Sequence, residues 1–422
     1  MREMKDSGAE WVGTIPENWD FVRGKYHLTN KKNIPGVHAD KYNRLSLTLK
    51  GVLPRSKDDS EGLQPKDFYT YQLLREGELV FKLIDLQNVS TSRVGLSHDI
   101  GLVSPAYIVL HGDDEVLTEY LQYFYLMMWH REVFNALGDN GVRSNLGVTD
   151  LLNVSIPVPP IAIQRCIAAF LESKCAEIDL LIADIQSQID TLEQYKRSVI
   201  TEAVTKGLNS DAEMKESGIE WIGKIPVNWN IEKGKYCLKY IQKPTRPDDE
   251  VITCFRDGEV TLRKNRREDG FTVSLQEIGY QGIDVGDLIV HGMDGFSGSI
   301  GISDSRGKAS PVLNVLDTNH NKRYIMYYLR NMAYEGIFLA LATGIRVRTC
   351  DTNWGKLREL PYLLPPKNEQ DKIAGFLDNK LKETDELITQ KQEQLSVLAE
   401  YKKSLIYEYV TGKKEVQSDF SS

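Results

Sequence analysis

Between residues 164 and 205 apolar side chains recur at alternating steps of four and three, at Ile178, Ile182, Ile185, Ile189, Leu192 and Val199, with Lys196 at the one polar step. That spacing keeps one face of an α-helix apolar and is the pattern of a coiled-coil seam. Pro157, Pro159 and Pro160 precede the stretch, no Pro or Gly interrupts it, and Gly207 follows it, so the start and stop signals frame a single helix. A second stretch repeats the pattern through Ile388, Leu395, Leu398 and Leu405, again with a lysine, Lys402, after Pro361, Pro365 and Pro366. At 1.5 Å per residue each helix is predicted to reach roughly 60 Å. So long a stripe must be buried, and the matching seams predict that the two helices pair as an antiparallel coiled coil; a surface helix packed on its own domain is the alternative.

Ahead of each helix the pattern changes to short runs rich in β-branched and aliphatic residues. Residues 79–84, 106–110, 287–290 and 312–316 read as strands. Each region then carries one aromatic-rich helix, over 117–136 and 323–341, whose Tyr and Phe residues recur at helical spacing and are expected to be core. The fold class is α+β: two mixed α/β domains joined by two long helices.

The chain is also duplicated. Residues 4–26 match 214–236 at 14 of 23 positions, and 164–205 match 370–411 at 20 of 42. A period near 200 residues means duplicated domains. The stretches between these anchors diverge, keeping only echoes such as Gly77-Glu78-Leu79-Val80 against Gly286-Asp287-Leu288-Ile289, and Ser104-Pro105 against Ser310-Pro311. The expected division is a first domain over 1–158, a helix over 159–207, a second domain over 208–364, a helix over 365–412 and a tail over 413–422.

Composition narrows the class. The 422 residues exceed one ordinary core. No window approaches about 18 consecutive apolar residues, and no signal-peptide core opens the chain, so a cytoplasmic protein without a membrane association is expected. The five cysteines have no C-x-x-C spacing, which fits a reducing compartment and argues against a zinc site. Net charge is −8, awkward for a nucleic-acid binder but uneven. Residues 12–153 hold 15 cations and 18 anions, whereas residues 222–360 hold 20 and 17. Screening confines each charge to roughly 8–10 Å, so local patches decide phosphate affinity.

Catalytic signatures are missing. Gly24-Lys25-Tyr26 and Gly307-Lys308-Ala309 lack the hydroxyl residue of a phosphate-binding loop. The Pro-Pro pairs lack the Asn or Asp before and the aromatic after that an amino-methyltransferase uses, and the acidic patch 247–250 has no Glu-x-Lys strand close by. Nucleic-acid chemistry is better represented. Residues 256–267 concentrate five cations, among them Arg263, Lys264, Arg266 and Arg267, and arginine's planar fork suits phosphate and guanine edges alike. Gly141-Val142-Arg143-Ser144-Asn145 matches Gly344-Ile345-Arg346-Val347-Arg348, a glycine turn followed by arginine in two divergent domains. Lys31, Lys32 and Arg93 complete the candidates for DNA contact. A solvated charged face or structural arginines are the alternative for each.

The duplicated Gly-x-Glu-Trp-x-Gly-x-Ile-Pro-x-Asn-Trp opening (8–19 and 218–229), the Pro-Pro-(x)3-Gln-(x)2-Ile-Ala-x-Phe-Leu lead-in to each helix (159–171 and 365–377) and the closing Tyr-Lys-(Arg/Lys)-Ser (195–198 and 401–404) resemble the specificity subunits of type I restriction-modification systems over nearly the whole chain. One departure, Ile163 where the second copy has Glu369, is expected to matter little. The resemblance implies two target-recognition domains that each read half of a split double-stranded DNA site, with the helices as spacer and docking surface. It implies two methyltransferase subunits and restriction subunits as partners. S-adenosylmethionine, ATP and Mg are expected on those partners, with no cofactor and no catalysis on this chain. A protein-only scaffold and an enzyme with an unrecognised motif are the competing readings. DNA binding separates the first and methyl transfer by the chain alone the second.

Overall fold

The structure, a computed structural model, describes residues 2–57, 67–87, 90–138, 145–266, 277–340 and 352–416. The chain forms two compact units, Met1–Ile185 with Glu393–Ser422, and Gln186–Gln392. These units cut across the division expected from sequence, because each takes one half of both long helices into its own packing.

The helices run over Ile161–Lys206 and Lys367–Val410. Each ends on a glycine with positive φ, Gly207 at 77° and Gly412 at 69°, the left-handed stop that favours glycine. A Cβ on Gly412 would also lie 2.6 Å from Pro16 and 2.8 Å from Trp19, so that stop is enforced by packing as well. In the first unit the helix halves pair antiparallel: the Phe170 and Tyr409 rings meet at a tilt of 36° with centroids 4.4 Å apart, and Lys402 reaches Asp179. In the second unit Lys196 reaches Asp385 and Lys391 reaches Gln188. Ile178, Ile189, Ile388 and Leu405 are buried, and Ile182, Ile185, Leu192, Val199, Leu395 and Leu398 are half-buried.

The first unit opens on an antiparallel ribbon, Met4–Asp6 with Thr14–Pro16. Asp20–Arg23 then pairs with Ser155–Val158, the strand that leads into the long helix. Between them lie two four-stranded sheets. One orders its strands Leu28–Thr29, Ile108–Gly112, Leu79–Phe81, Val94–Leu96; the other orders Gly51–Arg55, Asn43–Thr48, Gly101–Val103, Gln72–Leu74.

The second unit repeats this order. Its ribbon is Met214–Glu216 with Lys224–Pro226, and Asn230–Lys233 pairs with Pro361–Leu364. One sheet runs Lys239–Ile241, Leu313–Asp317, Leu288–His291, Ile300–Ile302. The hairpin Ile252–Cys254 with Val260–Leu262 joins the pair Gln281–Ile283 with Gly307–Ala309 through a parallel bridge, Val251 to Lys308. All four sequence-predicted strands are present: the first is shortened to Leu79–Phe81, and the other three, Ile108–Gly112, Leu288–His291 and Leu313–Asp317, lie one or two residues further along the chain. The aromatic helices, Thr118–His130 and Lys322–Tyr334, bury Tyr120, Phe124, Tyr125, Tyr324, Tyr327 and Tyr328, so these rings are core. No helix among the described residues is long and apolar enough to cross a membrane.

Candidate nucleic-acid interface

In each unit a buried glutamine near the start of the long helix anchors the aromatic helix. Gln164 Nε2 donates to the carbonyls of Pro159 and Glu115, both at 2.8 Å, while its Oε1 accepts from Leu117 N at 2.7 Å. Gln370 Nε2 donates to Pro365 O at 2.8 Å, and its Oε1 accepts from Asn321 N at 3.0 Å. In both copies the lead-in motif thereby ties the aromatic helix to the long one, satisfying groups that burial would otherwise strand.

The copies differ one residue earlier. Trp229 Nε1 donates to Glu369 Oε1 at 3.0 Å. In the first copy Ile163 stands at that position, and the buried Trp19 Nε1 has no partner among the described residues. The departure therefore does have a consequence: a buried indole N–H is left without its carboxylate.

The element that presents cations is the hairpin at the edge of the second sheet. In the second domain Ile252, Cys254 and Val260 face a small core with Ile283, Ile289 and Val315, which puts Thr253 and Arg263 on the outer face. Arg263 is half-buried, with Nε 3.3 Å from Thr253 Oγ1. Arg330 holds the hairpin turn, donating from Nε to Ile300 O at 2.8 Å and from Nη2 to Gly258 O at 2.9 Å. A Cβ on Gly258 would sit 1.9 Å from that guanidinium, so the clamp requires glycine there.

The basic run is less free than its sequence suggests. Arg266 lies over the Phe255 ring at 4.4 Å and meets Asp257 at 2.6 Å and Glu259 at 2.9 Å; the Asp257 hydrogen bond raises its pKa. Lys264 pairs with Glu250, and Arg256 lies 3.4 Å from Asp294. Phe255, Arg256, Arg263, Arg266, Tyr280 and His291 line an open cleft of about 1040 Å³. Burial pushes His291 below the usual histidine range, and its Nδ1 accepts from the Met293 and Asp294 amides at 3.2 and 3.0 Å. Behind the hairpin, Arg306 bridges Asp249 and Asp284, and Lys243 bridges Asp284 and Asp287.

The remaining candidates fall unevenly. Arg93 is wholly buried, its guanidinium donating to the carbonyls of Lys82, Ile84 and Asp85. Burial lowers its pKa. It fastens a loop and is withdrawn as a DNA contact, because its donors point into the protein. Asn145 is exposed and accepts from Asp85 N at 3.4 Å. Lys31 and Lys32 are exposed. Arg143, Ser144, Arg267, Arg346 and Arg348 lie outside the described residues.

The residue pattern concealed a second basic hairpin, Asn43–Thr48 with Gly51–Arg55. From residue 41 to 57 the chain has Lys41, Arg44, Lys50, Arg55 and Lys57 and no carboxylate. Leu45, Leu47 and Val52 are buried in a small core, and Arg44 and Arg55 are directly opposed in register. The cations were missed because they alternate with core residues rather than cluster. Among the described residues, no group of three or more His, Cys, Asp or Glu is placed to hold a metal ion.

Comparison with known proteins gives one family. Residues 286–397 match the type I restriction modification DNA specificity domain. Over 96% of its own length and 96% of the relative's, the chain is 25% identical to a protein of Methanocaldococcus jannaschii named as the specificity subunit of type I restriction enzyme MjaX. It is 24% identical, over 52% of this chain and 49% of the relative, to the MjaVIII specificity subunit of the same organism. The fold is similar to a chain of a solved type I R-M system, with TM-score 0.69, 14% identity, and coverage of 95% of this chain and 99% of that one.

Proposed function

We propose that this chain, similar over residues 286–397 to the type I restriction modification DNA specificity domain and over 96% of its length to a type I specificity subunit, is such a subunit and reads a bipartite DNA target, one recognition domain per half-site, for a complex whose chemistry resides on other subunits. One observation carries the reading. Two domains keep the same strand order and the same helix attachment, while their interiors diverge in sequence. A fixed frame with variable interiors suits a subunit whose assembly contacts are constant and whose two target halves differ.

The paired helices serve as spacer and as the docking surface for two methyltransferase subunits, with restriction subunits completing the complex. S-adenosylmethionine, ATP and Mg belong to those partners in this reading, and this chain contributes recognition alone.

Co-expression with the methyltransferase subunits in a host free of other DNA methylation tests it. Sequencing of modified bases is expected to reveal a motif of two short specific halves separated by unspecified bases, absent when this chain is omitted. A contiguous motif, or methylation independent of this chain, overturns the reading.

A further inference from the structure

Resting on that reading, we propose that Arg330 is the positioning residue of the second recognition domain: it fastens the turn between Cys254 and Val260 to the aromatic helix and so fixes where the second half-site is met.

The hairpin does not need Arg330 in order to form. Its strands, Ile252–Cys254 and Val260–Leu262, pair in register, and its turn closes on itself through Phe255 N to Glu259 O at 2.8 Å and Gly258 N to Phe255 O at 2.9 Å. Arg330 comes from outside, on the helix Lys322–Tyr334. Its Nε donates to Ile300 O and its Nη2 to Gly258 O, so one guanidinium ties the helix to the turn and to a strand of the main sheet. A planar fork fixes direction as well as distance. The chain facing the turn is cut to fit. A Cβ on Gly298, at φ 99°, would lie 3.2 Å from Arg256 O, and one on Gly301 would lie 1.9 Å from Gly258 O. A half-buried cation and two glycines therefore serve the placement of one short turn.

The other end of the same helix is fixed as well. Asn321, its N-cap, donates its amide to Gln370 on the long helix. A single helix thus carries the position of the spacer to the turn, and the turn bears Arg256 at the edge of the open cleft. In the first unit Leu117 N makes the matching bond to Gln164 at the start of Thr118–His130. Counting from Leu117 as from Asn321, Leu126 stands where Arg330 does. Leucine has no donor to offer. Leu49, Lys50 and Gly51 of that unit's hairpin turn line a cleft with Leu126, and Thr48 Oγ1 closes the turn locally on Gly51 O at 2.9 Å. Placement by a guanidinium is therefore particular to the second domain. Base edges are read by hydrogen bonds of fixed geometry, so a turn released from its helix costs discrimination at one half of the target.

The test uses the full chain assembled with its methyltransferase subunits, and duplexes bearing the methylated motif intact or with either half scrambled. R330M keeps the aliphatic stem and removes the donors. The ratio of intact to scrambled affinity is expected to fall roughly tenfold at the half that survives exchange of residues 28–154, and to stay at the wild-type value at the other. An arginine that only stabilises the fold lowers the active fraction and leaves both ratios alone. Unchanged ratios at both halves, or equal losses at both, overturn the proposal. If R330M does not assemble, R330K, which can reach one carbonyl but not both, is judged by the same two ratios. Failure of the underlying reading looks different: the unmutated complex would bind scrambled and intact duplexes alike.

Discussion

Lys402 Nζ donates to both carboxylate oxygens of Asp179, at 2.6 and 2.7 Å, from the polar step of an otherwise apolar seam. Its repeat counterpart makes the counterpart bond: Lys196 reaches Asp385 at 2.5 Å within the second unit. Each compact unit thus holds one lysine–aspartate pair joining its two helix segments. These pairs are partly exposed, so each is worth at most about 1 kcal/mol, but an unmatched partner costs in any other alignment.

Reversal should show this coupling. K402E places two anions together and is expected to lower the melting temperature; D179K with K402E is expected to recover most of the loss. Thermal denaturation of both singles and the double variant measures the interaction, and additive losses would deny it.

The indole contacts give a second pair of outcomes. E369I removes the acceptor from Trp229 and is expected to destabilise the chain by about 1–2 kcal/mol. I163E offers Trp19 the acceptor that its copy lacks, in the first turn of a helix where a carboxylate is also favoured by the dipole. Denaturant midpoints are expected to fall for the first variant and rise for the second.

Gln164 and Gln370 make the costliest single targets. Q164L or Q370L strands buried backbone groups at the start of the aromatic helix, and a loss of about 2–4 kcal/mol is expected for each from urea unfolding.

Acid should weaken the network behind the second hairpin. Asp284 is held down to about 2, first by the Lys243 hydrogen bond and then by Arg306, and Arg306 likewise lowers Asp249. A carboxylate depressed on folding stabilises above its unfolded pKa of about 4, and that contribution fades as pH falls from there towards about 2. Unfolding followed across this window is expected to show the decline, reduced in D284N.

Exchanging residues 28–154 for the interior of a related subunit is expected to change one half of the methylated motif and leave the other intact. Methylation mapping of the chimera checks it, and altered bases in both halves would contradict independent reading.

Local pattern sufficed wherever structure depends on neighbours within a few turns of chain. The long helices, their seam and stops, the duplicated frame and the strand-rich interiors follow from periodicity and from glycine and proline placement. Arg93 was misread because its local polarity does not reveal that three carbonyls close around it. The basic hairpin of the first unit went unnoticed because Arg44 and Arg55 come to oppose each other only when the two strands pair. Ile163 looked harmless because its sequence does not reveal that its counterpart, Glu369, accepts from a tryptophan 140 residues away, Trp229. Sequence alone determined the elements and the repeat, since those energies are local. Which cations share a face, which are neutralised and which polar groups are stranded was decided by tertiary pairing, because charge and hydrogen-bond energies depend on distances that only the folded chain sets.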